Sequence, residues 1–354
     1  MSKKSLAASC AAAALIGSLC ASAAFAGSLP TPTVGGKLFA DLTNIDMQSN
    51  GKKTAESGTG VDVKRFYLIF NEQFDSMWSA KVVTDATYNK NQQTDLYIKN
   101  AFLQATINKA FWVRLGDANL PWIPFDENVY GYRYVENTLI DRLHFGTSAD
   151  WGLHVGGRFD GGLVSYRVSA VNGNGYKNPS RSKTMDVEGR LTVRPIDGVI
   201  LAVGGYTGKL GKDTYGVTTY HTASRFDALA AYVKSGLRAG VEYFAANDWN
   251  NVTTPVSDKA DGYSAWASYD LTPMWSVFGR YDGAKTSRDL NPKLKDQYFN
   301  LGVAMHPRQN IDLALVYKHE TVNGGGFVNT TNGNIGGTLN GSYSEVGLWG
   351  QVAF

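Results

Sequence analysis

The sequence is short of three things: cysteine, long apolar runs and net charge. It has two cysteines in 354 residues, Cys10 and Cys20. Both lie in an N-terminal segment with the pattern of an export signal. Lys3 and Lys4 are basic, Leu6 to Leu19 is apolar or small, and Ala24-Phe25-Ala26 supplies small residues where a signal peptidase reads them. Cleavage is expected after Ala26, so that residues 1–26 are a signal peptide and 27–354 the functional chain. An N-terminal anchor helix is the alternative, but the stretch is short and Ala-rich for a membrane span. Leu19 is too bulky for a lipoprotein signal ending at Cys20. Beyond Ala26 there is no cysteine, which excludes a disulfide framework and a thiolate metal site. With 34 basic and 31 acidic residues, loss of Lys3 and Lys4 leaves 32 against 31. Such a balance carries no excess for a polyanion, and no nucleic-acid partner is expected.

No apolar stretch is long enough for a transmembrane helix, and the mean hydropathy is −0.23. Helix-period segments are also missing. What the chain does have is 39 Gly, with 8 Trp, 19 Tyr and 16 Phe, in short alternating stretches. Phe299, Leu301, Val303 and Met305 alternate with Tyr298, Asn300, Gly302 and Ala304. Trp275, Val277, Gly279 and Tyr281 alternate with Ser276, Phe278, Arg280 and Asp282. Ile311–Lys318, Leu237–Phe244 and Val187–Arg194 repeat the pattern. Period two with one apolar face is the signature of a β-strand.

A soluble sandwich has the same period. Here the apolar faces carry aromatics near strand ends, as interfacial girdles do, and the connections alternate between short and long. The chain ends Val346-x-Leu348-x-Gly350-x-Val352-x-Phe354, the form of a C-terminal signal for barrel insertion into an outer membrane. Strands are predicted at 34–47, 61–70, 77–88, 95–107, 111–117, 151–159, 163–172, 186–194, 199–207, 223–233, 236–246, 262–270, 275–283, 297–305, 311–320 and 342–354. The count is even, as single-chain bacterial barrels require. The expected fold is therefore all-β, a 16-stranded antiparallel transmembrane β-barrel. The longer connections, including 48–60, 89–94, 118–150 and 321–341, fall on one side and the tight turns on the other.

Sixteen strands enclose an aqueous channel. A guanidinium facing lipid at mid-depth costs about 2–4 kcal/mol, so strand arginines belong in the lumen. Arg114, Arg158, Arg167, Arg190 and Arg194 are assigned there, with Asp117 at the end of the fifth strand; pairing with cross-strand carboxylates is the plainer reading of each. The segment 118–150 is too long for an ordinary connection. It holds Asp126, Glu127, Glu136, Asp141 and Asp150 against Arg133 and Arg142. Folded inward, it would set acids opposite Arg114, Arg158 and Arg167 and form a constriction with little preference for either sign. A solvated surface lid is the alternative. None of the five histidines has metal-ligand spacing, no G-x-S-x-G occurs, and neither cofactor, metal nor catalytic group is expected.

NAFLQATINKAFWVRLGDANLPW, RYVENTLIDR, LVSYRVSAVNGNG and VEGRLTVRP, in that order, resemble the phosphate-selective porin O/P family over roughly residues 95–198. The resemblance implies a trimeric porin in the outer membrane of a Gram-negative cell, in contact with lipid and lipopolysaccharide, with an inward third loop and small hydrophilic solutes or anions as cargo. The selective members carry basic ladders and a lysine in the constriction. This loop is net acidic without lysine, so general or weakly charge-selective diffusion is expected, with a weak phosphate-like preference left open. The other classes are a barrel enzyme, marked by a Ser or Asp beside a His at the outer rim, and a plugged structural or adhesion barrel.

Overall fold

A computed structural model describes residues 31–87 and 95–354 of the chain. The expected signal peptide and the loop at 89–94 lie outside the described residues. Sixteen strands form the wall. The first five are β1 (Thr33–Ser49), β2 (Gly58–Gln73), β3 (Trp78–Thr87), β4 (Asp95–Asn108) and β5 (Phe111–Asn119). Next come β6 (Ala149–Phe159), β7 (Val164–Val171), β8 (Asp186–Val193), β9 (Val199–Gly208) and β10 (Ala223–Lys234). The circuit continues through β11 (Leu237–Asn247), β12 (Lys259–Asp270), β13 (Trp275–Lys285), β14 (Lys295–Arg308), β15 (Ile311–Asn323) and β16 (Asn340–Ala353). Each pairs antiparallel with its sequence neighbours, and β1 closes the circuit by pairing with both β2 and β16. Closure leaves no free edge for another chain to extend.

The barrel is inside-out relative to a soluble core. On β14, Leu301 is 59% exposed on the outer face while its neighbour Asn300 is fully buried on the inner one. Trp275, Tyr269 and Tyr232 lie outward beside the tight turns. Tyr263 and Tyr281, with rings 6.1 Å apart, and Phe299 and Tyr317, 5.9 Å apart, form a second belt toward the long loops. Aliphatic residues such as Val241 and Val303 lie between, as in a lipid-facing band bounded by two girdles.

All sixteen predicted strands are present; the differences lie in extent and in the loops. β2 runs to Gln73, beyond its predicted end, because its backbone continues to pair with β3, through Glu72 with Ala80 and Gln73 with Ser79, where the side-chain alternation has lapsed. Register shifts interrupt alternation at Phe39/Ala40 and at Val83/Thr84. Lys52–Lys53 adds a short rung against β1. The connection before β16, predicted as an irregular loop, contains a hairpin of Gly326–Thr330 with Gly333–Gly337.

Candidate pore constriction

The segment between β5 and β6 folds into the barrel. Its helix α1, Ile123–Tyr130, starts with Pro124 in the first turn, where the missing N–H has no helical acceptor to lose. It stops at Gly131, whose φ of 87° suits a left-handed cap. A second turn, α2, spans Leu139–Arg142. Aromatic burial drives the insertion. Tyr132 stacks on Phe278 at 4.0 Å, Tyr130 meets Trp266 at 5.7 Å, and Phe145 meets Phe244 at 5.0 Å. Such pairs add to the large area that aromatics remove from water.

Wall arginines then hold the loop by its carbonyl oxygens. Arg190 donates to Pro121 O at 2.5 Å, Arg225 to Phe145 O at 2.5 Å and Arg280 to Asn137 O at 2.5 Å. Arg238 donates to Val129 O at 2.5 Å and Asn128 O at 3.0 Å, placing a cation at the negative end of α1. Glu188 accepts from the Trp122 backbone N–H at 2.8 Å, and Glu242 accepts from its indole N–H at 3.0 Å.

Arg142 is fully buried and bonded to three wall carboxylates: Asp282 at 3.0 Å, Asp296 at 2.5 Å and Glu320 at 2.6 Å. Burial disfavours its charge, but these carboxylates outweigh that and hold its pKa well above the ordinary value. The hairpin before β16 covers this cluster. Thr331 N–H donates to Arg142 O at 3.0 Å, and the Thr331 hydroxyl donates to Glu136 at 2.8 Å. Glu136 also lies 3.4 Å from Lys318. Burial alone would raise its pKa, yet Lys318, the Thr331 hydroxyl and Arg280 bring it down to about 2. Asp126 is the contrast. It is fully buried, neither oxygen meets a donor in hydrogen-bond geometry, and burial pushes its pKa up to about 7 against the pull of Thr138 and Arg280.

The sequence sets the loop's acids opposite Arg114, Arg158 and Arg167; in the structure most of those acids are engaged on the loop's own side instead. Glu127 pairs with Arg133, which Asp141 also approaches at 3.9 Å. Glu136 pairs with Lys318, and Asp126 has no ion-pair partner among the described residues, Arg280 acting on it only at longer range. The reason is the side on which the loop lies. Its hydrogen bonds run to β8, β10, β11, β13, β14 and β15, leaving the wall of β1–β7 opposite. Asp126 and Arg142 are sealed from the bore; Glu127 and Arg133 are the loop charges turned toward the facing wall. Burial works against the Arg133 charge, but Glu127, Tyr67 of β2 and Asp141 hold its pKa up.

On the facing wall the cations stand apart from carboxylates. Arg114 is bonded to Gln104 at 2.6 Å and lies 4.3 Å from the Trp112 ring and 4.7 Å from Phe102. Arg167 lies 5.5 Å from the same Trp112 ring. Among the described residues, neither they nor Lys81 and Arg158 have a carboxylate at ion-pair distance; Arg194, just past the end of β8 and so not on this wall, has none either. Lys37 and Lys99 join this set; both sit within electrostatic reach of Glu127. Sequence reasoning missed these two, although Lys99 lies at the same parity as Tyr97 and Asp95, alternating with Leu96 and Ile98. Asp117 is fully buried without a hydrogen-bond donor. Asp150 accepts from Gly173 and Gly175 N–H at 2.9 and 3.1 Å and fixes the next loop.

No family model and no curated protein sequence matches the chain. Solved structures share its fold at low identity. The anion-selective porin from Comamonas acidovorans has a TM-score of 0.69 at 11% identity, over 92% of this chain and 99% of that one. OmpT, an outer membrane protein of Vibrio cholerae in its trimer form, gives 0.62 at 13%, over 92% and 99%. The outer membrane channel DcaP of Acinetobacter baumannii gives 0.61 at 13%, over 91% and 97%.

Proposed function

We propose that this protein is an outer-membrane porin through which small hydrophilic solutes and ions diffuse passively, with a preference for anions. One observation carries the preference: Lys37, Lys81, Lys99, Arg114, Arg158 and Arg167 on the wall facing the third loop lack carboxylate partners among the described residues, whereas the loop's acids are buried or paired. Fixed charge of one sign at a narrow point concentrates counter-ions there. An anion preference is also what the printed description of the Comamonas acidovorans porin states of that protein. The setting is a Gram-negative outer membrane, reached after loss of residues 1–26. The unit is a homotrimer, by analogy with the OmpT trimer form.

Planar-bilayer recording under a potassium chloride gradient tests this. The reversal potential should show chloride passing more readily than potassium, with the bias shrinking as salt rises over a Debye length of about 10 Å at 0.1 M. A cation bias would overturn the selectivity. Absence of conductance would favour a plugged structural or adhesion barrel. Cross-linking in native membranes reads the oligomer.

The enzyme class meets one arrangement of interest. Asp312 bonds His306 Nδ1 at 2.6 Å, and His306 Nε2 lies 3.0 Å from Ser276 Oγ. This order resembles a Ser–His–Asp triad. However, Ser276 is fully buried, its hydroxyl lies 2.9 Å from Tyr132, and the group sits at the tight-turn end, away from the outer rim. No substrate carbonyl reaches that hydroxyl while the loop is docked, and the non-enzymatic reading is retained.

A further inference from the structure

Beneath the docked loop, at the tight-turn end of the bore, is a cavity of about 450 Å³. Tyr134 from the loop, with Arg238, Ser268, Asp270, His306 and Asp312 from the wall, supplies its polar lining. Four features separate it from a solvent-filled gap. Tyr134 is only 4% exposed, yet its hydroxyl has no hydrogen-bond partner. A buried hydroxyl left unpaired is costly, which marks a place where a ligand group would be bound. Arg238 uses Nη1 alone for both loop carbonyls, so Nε and Nη2 remain as donors. Asp270 has no ion-pair partner among the described residues, while the neighbouring Lys234 is neutralised by Asp197 at 2.8 Å. Finally, Asp312 is fixed in place by His306 at 2.6 Å and by Gln351.

We infer that this cavity is a binding subsite for a small zwitterion of the α-amino-acid class. Arg238 and the Tyr134 hydroxyl would take the carboxylate, and Asp270 with Asp312 would take the ammonium group. Leu237, Pro273 and Tyr132 line the rest of the cavity and leave an apolar surface for a side chain. A plain anion would meet two carboxylates there, and a plain cation would meet Arg238, with Lys37 within electrostatic reach of Asp312. Only a solute with both charges satisfies both sides. Lys37 is one of the cations facing the loop, and its field reaches Asp312 at the edge of this subsite, but the subsite's test does not depend on conductance.

Saturation-transfer NMR with L-alanine, acetate and methylammonium on the detergent-folded protein decides the matter. Alanine should receive saturation, and each single-charge probe much less. Asp270→Asn and Tyr134→Phe should each weaken alanine binding about tenfold, the scale of one charge-assisted hydrogen bond. Asp270 is exposed, so its variant leaves the barrel intact, and heat-modifiable migration checks folding of both. No transfer to alanine would overturn the subsite. Equal transfer to all three probes, or unchanged binding in both folded variants, would overturn it as well.

Discussion

Arg142 of the third loop and Glu320 of the barrel wall meet through a 2.6 Å Nη1–Oε1 hydrogen bond with neither side chain exposed. Asp282 and Asp296 complete the ring around the guanidinium. Three carboxylates with this one loop cation at their centre make the loop's position depend strongly on it. Arg142→Ala leaves those carboxylates buried without it, which costs about 3–5 kcal/mol by comparison with other broken buried pairs. The loop should then leave the wall. Recordings should show larger, noisier conductance, and the folded barrel should melt at lower temperature. Unchanged conductance in a folded variant would show that the loop is held by its aromatics alone.

The facing cations give a second prediction. Neutralising Arg114 together with Arg158 should move the reversal potential toward cations without abolishing conductance, because neither is bonded to the loop. Each removes a charge whose interaction with a passing anion at about 4 Å is worth roughly 1–4 kcal/mol at an effective dielectric of about 20–80. Glu127→Gln should do less at low salt, since Arg133 already neutralises Glu127. Equal and opposite shifts would mean that Glu127 faces the ions as a free charge.

How far the sequence reached depends on the physics of each residue. Strands with strict period two, such as Trp275–Lys285, showed their inner face directly, because lipid and water select opposite side chains at alternate positions. Lys99 escaped notice because it is itself the extra residue at the register shift between Val83 and Thr84, which breaks the alternation of its strand; Lys37 sits on an unbroken strand, at the same parity as Phe39 and Asp41, and was legible there. The length and aromatics of 118–150 announced a packed loop. Its side of the bore was not legible, since that is set by contacts such as Arg142 with Glu320, 178 residues apart. Composition counts Asp126 and Glu136 as equal acids; only burial separates them.

The C-terminus offers a third test. Phe354 exchanges two backbone hydrogen bonds with Gly36, at 2.8 and 3.1 Å. Its ring lies so close that a β-carbon on Gly36 would come within 2.3 Å of Cζ. Deleting Phe354 should sharply reduce heat-modifiable barrel in the outer membrane while leaving the conductance of the assembled remainder unchanged. Phe354→Ala keeps the backbone pairing. If it assembles like the deletion, the aromatic ring is the feature read during insertion; if it assembles normally, the strand pairing is.

Loop docking should also depend on pH in two opposed ways. Asp126 has its pKa raised by burial from 3.8 to about 7, so the docked loop holds a proton that a released, solvated Asp126 gives up. Its contribution to docking is full below about pH 4 and falls as pH rises to about 7, by linkage worth about 1.4 kcal/mol per unit of separation. Glu136 is the reverse. Its pKa falls from 4.5 to about 2, where Lys318, Thr331 and Arg280 outweigh burial, so its contribution is present above pH 4.5 and disappears as pH falls through about 2. The two limbs place the quietest, most firmly constricted channel near pH 4–5, with loop-opening noise rising toward neutrality. Asp126→Asn should flatten the neutral limb and leave the acid limb, and Glu136→Gln should do the opposite. Noise that stays level from pH 4 to 8 in the parent protein would show that docking takes up no proton at the carboxyl pair of Asp126 and Glu242, and would overturn the neutral limb.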